Sequence, residues 1–148
     1  MKETSYLCLL LATALIACRD TTGPIAPLAT EPLAVTVQTR GPVQGEPIPA
    51  VHISGGLGAV AVAVTRYGMC ATRVDARVNR SGQVLSVVSR VSSDPAALCL
   101  AMITVVDYQG TIKVSSGGSY LVRVFEAEGD NDPKLIGSAA VSVYAPYI

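Results

Sequence analysis

Short valine-rich segments recur along residues 33–148, and glycine or proline separates most of them. In 35–40, apolar and polar residues alternate as they do in a strand with one buried face. In 59–65, valine alternates with alanine, which predicts a central strand with small side chains on one face. The other segments are 48–53, 74–78, 84–91, 100–107, 111–114, 120–126 and 135–144. This spacing predicts an all-β sandwich or barrel rather than a fold that alternates helices with strands.

One segment favours helix as well as strand. Asp94 is a good helix cap, Pro95 suits a first helical turn, and alanine and leucine follow them. A short helical turn near 95–101 and a strand are therefore both open alternatives.

The final third of the chain contains the run Gly118-Ser119-Tyr120-Leu121-Val122-Arg123-Val124. This run resembles the start of the penultimate strand in immunoglobulin-like and fibronectin type III-like sandwiches. The resemblance implies an antiparallel β-sandwich of seven to nine strands, a Tyr120 hydroxyl bonded back to the preceding corner, a hairpin turn at 128–134 and a closing strand at 135–144. Because the chain has no tryptophan, and Val122 stands where antibody domains have a cysteine, the resemblance concerns architecture only.

The amino terminus carries a separate signal. The run 7–17 is apolar except for Thr13, and it is shorter than the roughly 20 residues that span a bilayer. It ends in Leu15-Ile16-Ala17-Cys18, which resembles the lipobox of bacterial lipoproteins. The resemblance implies that 1–17 is a cleaved signal peptide and that the Cys18 thiol carries a lipid anchor in a membrane. The alternatives are an ordinary signal peptide or a buried helix.

Residues 18–32 are rich in proline and threonine, which predicts an extended tether of roughly 40 Å, although an edge strand near 25–28 is an alternative. The folded domain is then expected at 33–148. Arg19 follows the lipidated cysteine, and by resemblance to the enterobacterial sorting pattern this disfavours retention at the inner membrane. We therefore expect a lipid-anchored protein of the cell envelope, at the outer membrane.

Four cysteines are present, of which Cys8 lies in the leader and Cys18 would be lipidated. Cys70 and Cys99 remain, and outside the cytoplasm such a pair usually forms a disulfide. The chain-entropy model gives that bond a contribution of roughly 3.6 kcal/mol. Two free buried thiols are the alternative.

Sequence signals for catalysis are weak. His52 is the only histidine, and the chain has no nucleophile elbow, no zinc-protease motif and no phosphate-binding loop. The sequence therefore predicts a non-catalytic protein without a cofactor. Equal numbers of acidic and basic residues also argue against a nucleic-acid partner.

Acidic and basic side chains are unevenly distributed along the domain. Either they pair across the sandwich, or a basic face meets anionic lipid or polysaccharide. Four carboxylates at Glu126, Glu128, Asp130 and Asp132 could bind calcium, although turn chemistry explains this segment as well. The basic residues of this uneven distribution are Arg66, Arg73, Arg77, Arg80 and Arg90. The acidic residues are Asp107, Glu126, Glu128, Asp130 and Asp132.

The sequence supports two hypotheses about function. The favoured one is a membrane-anchored module that contacts an envelope protein or a glycan. The alternative is a domain that binds a small ligand or calcium through the acidic hairpin 126–132. A glycan partner would stack on exposed aromatic rings, and the candidates are Tyr67, Tyr108, Tyr144 and Tyr147, which strand-end packing explains equally.

Overall fold

The computed structural model describes residues 30–42, 44–45, 47–69, 71–94 and 103–145, which form nine β-strands and no helix. The all-β prediction is therefore confirmed. The helical alternative near 95–101 lies outside the described residues. The strands are β1 (Thr30–Leu33), β2 (Val35–Arg40), β3 (Ala50–Gly55), β4 (Ala59–Gly68), β5 (Thr72–Ser81), β6 (Val84–Ser93), β7 (Thr104–Lys113), β8 (Gly118–Glu128) and β9 (Lys134–Val143).

The strands form two sheets, as expected of a sandwich. One sheet has the order β1-β5-β6-β8-β9 and the other has the order β2-β7-β4-β3. Every ladder within the two sheets is antiparallel except β6–β8, which is parallel. The chain leaves the first sheet after β6, returns through β7 in the second sheet, and then enters β8 in the same direction as β6. This crossover accounts for the parallel direction of the β6–β8 pair.

Valine dominates the layer between the sheets. On β4, Val60, Val62 and Val64 are at most 4% exposed, whereas the alanines between them face outward. This confirms the prediction of a central strand with small side chains on one face. Close packing of branched side chains removes apolar surface from water, which is the main favourable term in folding. The buried side chains that pack with these valines in one cluster are Val78, Leu85, Val87, Tyr108, Ile112, Val114, Tyr120, Val122, Val124 and Val143.

Strand β7 corrects one prediction from the sequence. The sequence placed a break at Gly110 between 100–107 and 111–114, but the structure has one continuous strand, Thr104–Lys113. A side chain at Gly110 would place its Cβ 2.9 Å from Leu33 Cδ2 and 3.3 Å from the Ala34 carbonyl oxygen. Gly110 therefore marks the close approach of β1 and β2 rather than the end of a strand.

The sheets meet at both sides of the sandwich. On one side, Ala34 joins β1 in the first sheet to β2 in the second. On the other side, β3 lies against β9, and a Cβ on Gly55 would overlap the Ser142 carbonyl oxygen. Strand edges on this side are therefore covered by backbone of the opposite sheet, which protects them from pairing with other chains.

The corner before β8 is held by Tyr120, which is 5% exposed. Its hydroxyl donates to the Ser116 carbonyl oxygen at 2.9 Å and also lies 2.9 Å from Ser116 Oγ. This confirms the bond that the sandwich resemblance implied. The hairpin turn predicted at 128–134 is also confirmed, because β8 ends at Glu128 and β9 begins at Lys134.

Strand directions give the sandwich two distinct ends. The entry end holds the first residue of β1, the β5–β6 turn at Gly82, the β3–β4 turn and the end of β9. The far end holds the β8–β9 hairpin and the last residues of β4 and β6. β1 begins at Thr30, three residues before the position at which the sequence placed the start of the domain. The first described residue, Thr30, therefore lies at the end of the sandwich opposite the β8–β9 hairpin.

Candidate functional site

A cleft of about 930 Å³ opens at the far end of the sandwich. Its rim carries three exposed apolar side chains, because Tyr67, Met69 and Ile103 are 51%, 56% and 70% exposed. Arg66 and Glu128 also line it. Large apolar side chains exposed together around a concavity are typical of binding sites, since monomeric proteins usually bury such groups.

Arg66 connects the two sheets at this cleft. It extends from β4, and its Nη1 donates to Glu126 Oε1 on β8 at 2.7 Å, while its Nη2 donates to Glu128. Arg66 Nε donates to the carbonyl oxygen of Tyr67 at 2.9 Å. The side chains of Arg66 and Glu126 are only 13% and 14% exposed. Each of the three guanidinium nitrogens therefore has a partner, and this fixes the side chain.

Tyr108 satisfies the second oxygen of Glu126. Its hydroxyl donates to Glu126 Oε2 at 2.7 Å, and the tyrosine is 4% exposed. Burial raises the pKa of Tyr108 well above its ordinary value of 10, and the nearby Glu126 carboxylate raises it further. The buried Ser89 hydroxyl lowers the pKa of Tyr108, but by less than burial raises it. The phenol therefore stays protonated and keeps donating at any physiological pH.

A second polar cluster lies on the outer face of the β2-β7-β4-β3 sheet. Asp107 accepts hydrogen bonds from Arg40 Nε and from Thr65 Oγ1, both at 2.6 Å. The Arg40 bond, followed by the Thr65 bond, holds the pKa of Asp107 below its ordinary value of 3.8. These bonds tie β2, β7 and β4 together.

The depressed pKa of Asp107 predicts how its contribution to stability varies with pH. A carboxyl whose pKa is lower in the folded chain stabilises the fold above its ordinary pKa, and this stabilisation is lost as pH falls through the folded value. We expect Asp107→Asn to unfold at lower urea concentration than the wild type at pH 7. The difference in urea midpoint between the two proteins should be smaller at a pH well below 3.8 than at pH 7. An equal difference under these two conditions would contradict this expectation.

The predicted pairing of charges across the sandwich is confirmed for Arg66. The other arginines of the sequence pattern bind nearer neighbours on the same sheet or in its adjoining loops. Arg73 pairs with Asp94, Arg77 with Asp75 and Arg80 with Glu31, while Arg90 Nη1 donates to the Gly129 carbonyl oxygen.

The acidic hairpin divides into two parts. Glu126 and Glu128 bind Arg66, whereas Asp130 and Asp132 lie exposed in the turn. Within the described ranges, no three or more His, Cys, Asp or Glu side chains lie where they could hold a metal ion. The four carboxylates therefore do not form one shared site, because two are paired with Arg66 and two are exposed in the turn.

The tyrosines do not form one surface. Tyr67 borders the cleft at the far end, Tyr144 lies at the entry end, and Tyr108 is buried. His52 is exposed on β3. Tyr147, the lipidation site Cys18 and the cysteines Cys70 and Cys99 lie outside the described residues.

Comparison of the chain with models of protein families, with curated proteins and with solved structures gave no match. In the part of the chain that the structure describes, no helix is long and apolar enough to cross a membrane. The geometry of the far-end cleft is therefore the basis for assigning a function.

Proposed function

We propose that this chain is a lipid-anchored protein of the bacterial cell envelope that presents a non-catalytic β-sandwich to a protein partner. Cys18 carries the anchor, and the far-end cleft receives the partner. The observation that carries the proposal is the position of the cleft, which opens at the end opposite the first residue of β1. A chain held by its amino terminus would direct this cleft away from the membrane.

The dimensions of the chain support this arrangement. Eleven residues, 19–29, separate Cys18 from β1, and they would span about 34 Å when extended. β4 adds ten residues between the entry end and the cleft, or about 33 Å. The cleft can therefore reach well beyond the lipid headgroups.

The chemistry of the rim favours a protein over a glycan. Sugars stack on aromatic faces, but Tyr67 is the one exposed aromatic side chain among the described residues of the rim. Met69 and Ile103 provide flexible and branched apolar contacts beside it. Protein interfaces combine an apolar centre with a polar rim, and at this cleft the paired charges of Arg66, Glu126 and Glu128 lie beside the apolar side chains.

Photo-crosslinking in intact cells tests this proposal. A benzophenone amino acid at Met69 should give one discrete crosslinked protein, and the same probe at Ser138, which is exposed on β9 outside the cleft, should not give it. Replacing residues 1–18 with a cleavable signal peptide that lacks a lipobox should move the chain from the membrane fraction to the soluble fraction and abolish the crosslink. Retention in the membrane fraction would refute the anchor, and equal crosslinking from both positions would refute the cleft.

A further inference from the structure

A second exposed apolar feature lies at the entry end. Leu57 and Tyr144 are 61% and 69% exposed, and they are paired in a parallel β-bridge. Gly58 N donates to the Tyr144 carbonyl oxygen at 2.8 Å, and Tyr144 N donates to the Gly56 carbonyl oxygen at 3.1 Å. Backbone bonds therefore hold two apolar side chains side by side and facing solvent. We refer to Leu57 and Tyr144 as the apolar pair.

Charge is distributed unequally between the two ends. Of the eight described carboxylate side chains, seven lie in the far half of the sandwich, and the eighth, Glu31, is paired with Arg80. Lys113 is exposed at the last position of β7, opposite Ala59 and therefore close to the apolar pair. An end with few carboxylates and with a lysine beside exposed apolar side chains is suited to contact with an anionic lipid surface.

The first strand of the sandwich begins at the same end. Thr30, the first described residue, pairs with Asn79 beside the β5–β6 turn. The strands of the first sheet place β1 about 19 Å from β9, at four strand spacings. Thr30 and the apolar pair thus lie at opposite sides of one end of the sandwich, so a membrane that holds a lipid on Cys18 could also contact the pair.

We infer that the entry end rests on an anionic lipid surface, with Leu57 and Tyr144 inserted among the headgroups and Lys113 facing the phosphates. This inference depends on the proposed lipid anchor at Cys18. Tyrosine suits this depth because its ring is apolar and its hydroxyl reaches water. Two separated contacts with the membrane would hold the sandwich upright and keep the far-end cleft facing away.

A single tryptophan can measure the contact, because the chain contains none. The lipidated full chain would carry either Leu57→Trp or, as a matched control, Leu135→Trp, which lies at the far end with a similar exposure of 56%. Both would be reconstituted in vesicles of phosphatidylethanolamine and phosphatidylglycerol with brominated acyl chains. We expect the tryptophan at position 57 to emit at shorter wavelength and to lose most of its intensity, while that at 135 stays unquenched.

Flotation of the vesicles and the mass of the amino-terminal peptide, measured on the same samples, separate the two proposals. Lipidated protein that floats with an unquenched tryptophan at position 57 would overturn the docking and leave the anchor intact. Equal quenching at both positions would also overturn it, because the sandwich would then lie on its side. Unlipidated protein that fails to float would refute the anchor and the docking together. Unchanged urea midpoints confirm that both variants are folded.

Discussion

Arg66→Ala is expected to lower the free energy of unfolding by about 3–5 kcal/mol, because it leaves the Glu126 carboxylate buried without its cation. Both side chains are less than one-sixth exposed, so water cannot replace the lost partner fully. Tyr108 would still donate to one oxygen of Glu126, but this bond cannot neutralise the charge. Urea unfolding at neutral pH measures the change.

Arg73→Ala is the matched control for this prediction. Arg73 also donates to a carboxylate, that of Asp94, but its side chain is 75% exposed. Removing an exposed ion pair should cost less than about 1 kcal/mol. The double variant Arg66→Met with Glu126→Gln should recover part of the loss, since no buried charge is then unpaired. Equal shifts from Arg66→Ala and Arg73→Ala would show that the buried pair does not hold the sheets together.

Gly55→Ala is expected to destabilise the sandwich by about 3 kcal/mol or more, since the added methyl group has no space. The new Cβ would overlap the Ser142 carbonyl oxygen and lie 2.8 Å from the carbonyl carbon. Both atoms belong to the β9 backbone, so no side-chain rotation can relieve the contact. Strands β3 and β9 would have to separate, which opens the side of the sandwich that they cover.

Gly41→Ala provides the control for the added methyl group. A Cβ at Gly41 meets nothing within 4 Å, and its backbone lies outside the left-handed region. The substitution should therefore change the free energy of unfolding by less than about 0.5 kcal/mol. If Gly55→Ala has the same urea midpoint of unfolding as Gly41→Ala, β3 and β9 do not pack as closely as the structure shows.

The alternation of apolar residues was sufficient to predict most strands, because alternation has a local physical cause. Residues 35–40, for example, match β2 without a shift. Gly110 misled the prediction, because the reason for glycine there is the Leu33 side chain from a strand more than seventy residues away. The parallel β6–β8 pair could not be predicted from the sequence either, because it depends on β7 belonging to the other sheet.

The candidate site was only partly predictable from the sequence. The uneven distribution of charge indicated Arg66, Glu126 and Glu128, but not that a single guanidinium would bind both carboxylates. Tyr108 was a candidate for stacking on sugar, yet the structure buries it against Glu126. No local pattern in the sequence indicates such contacts, because register and sheet order decide which distant side chains meet.

Both proposals concern where the sandwich is held and which end stays free. The cleft lies at the end farthest from β1, and the apolar pair lies at the end where β1 begins. If the chain were attached to the membrane at another point, nothing would require the apolar pair to face the membrane and the cleft to face away from it. The attachment at Cys18 is therefore the central claim.

Mass spectrometry of the mature protein tests this claim most directly. Protein extracted from the membranes of the cells that make it should yield an amino-terminal peptide that begins at Cys18, with diacylglycerol on the thiol. The mass of residues 1–17 should be absent. A mature chain that keeps its leader, or that has an unmodified Cys18 thiol, would contradict the lipid anchor and the orientation that depends on it.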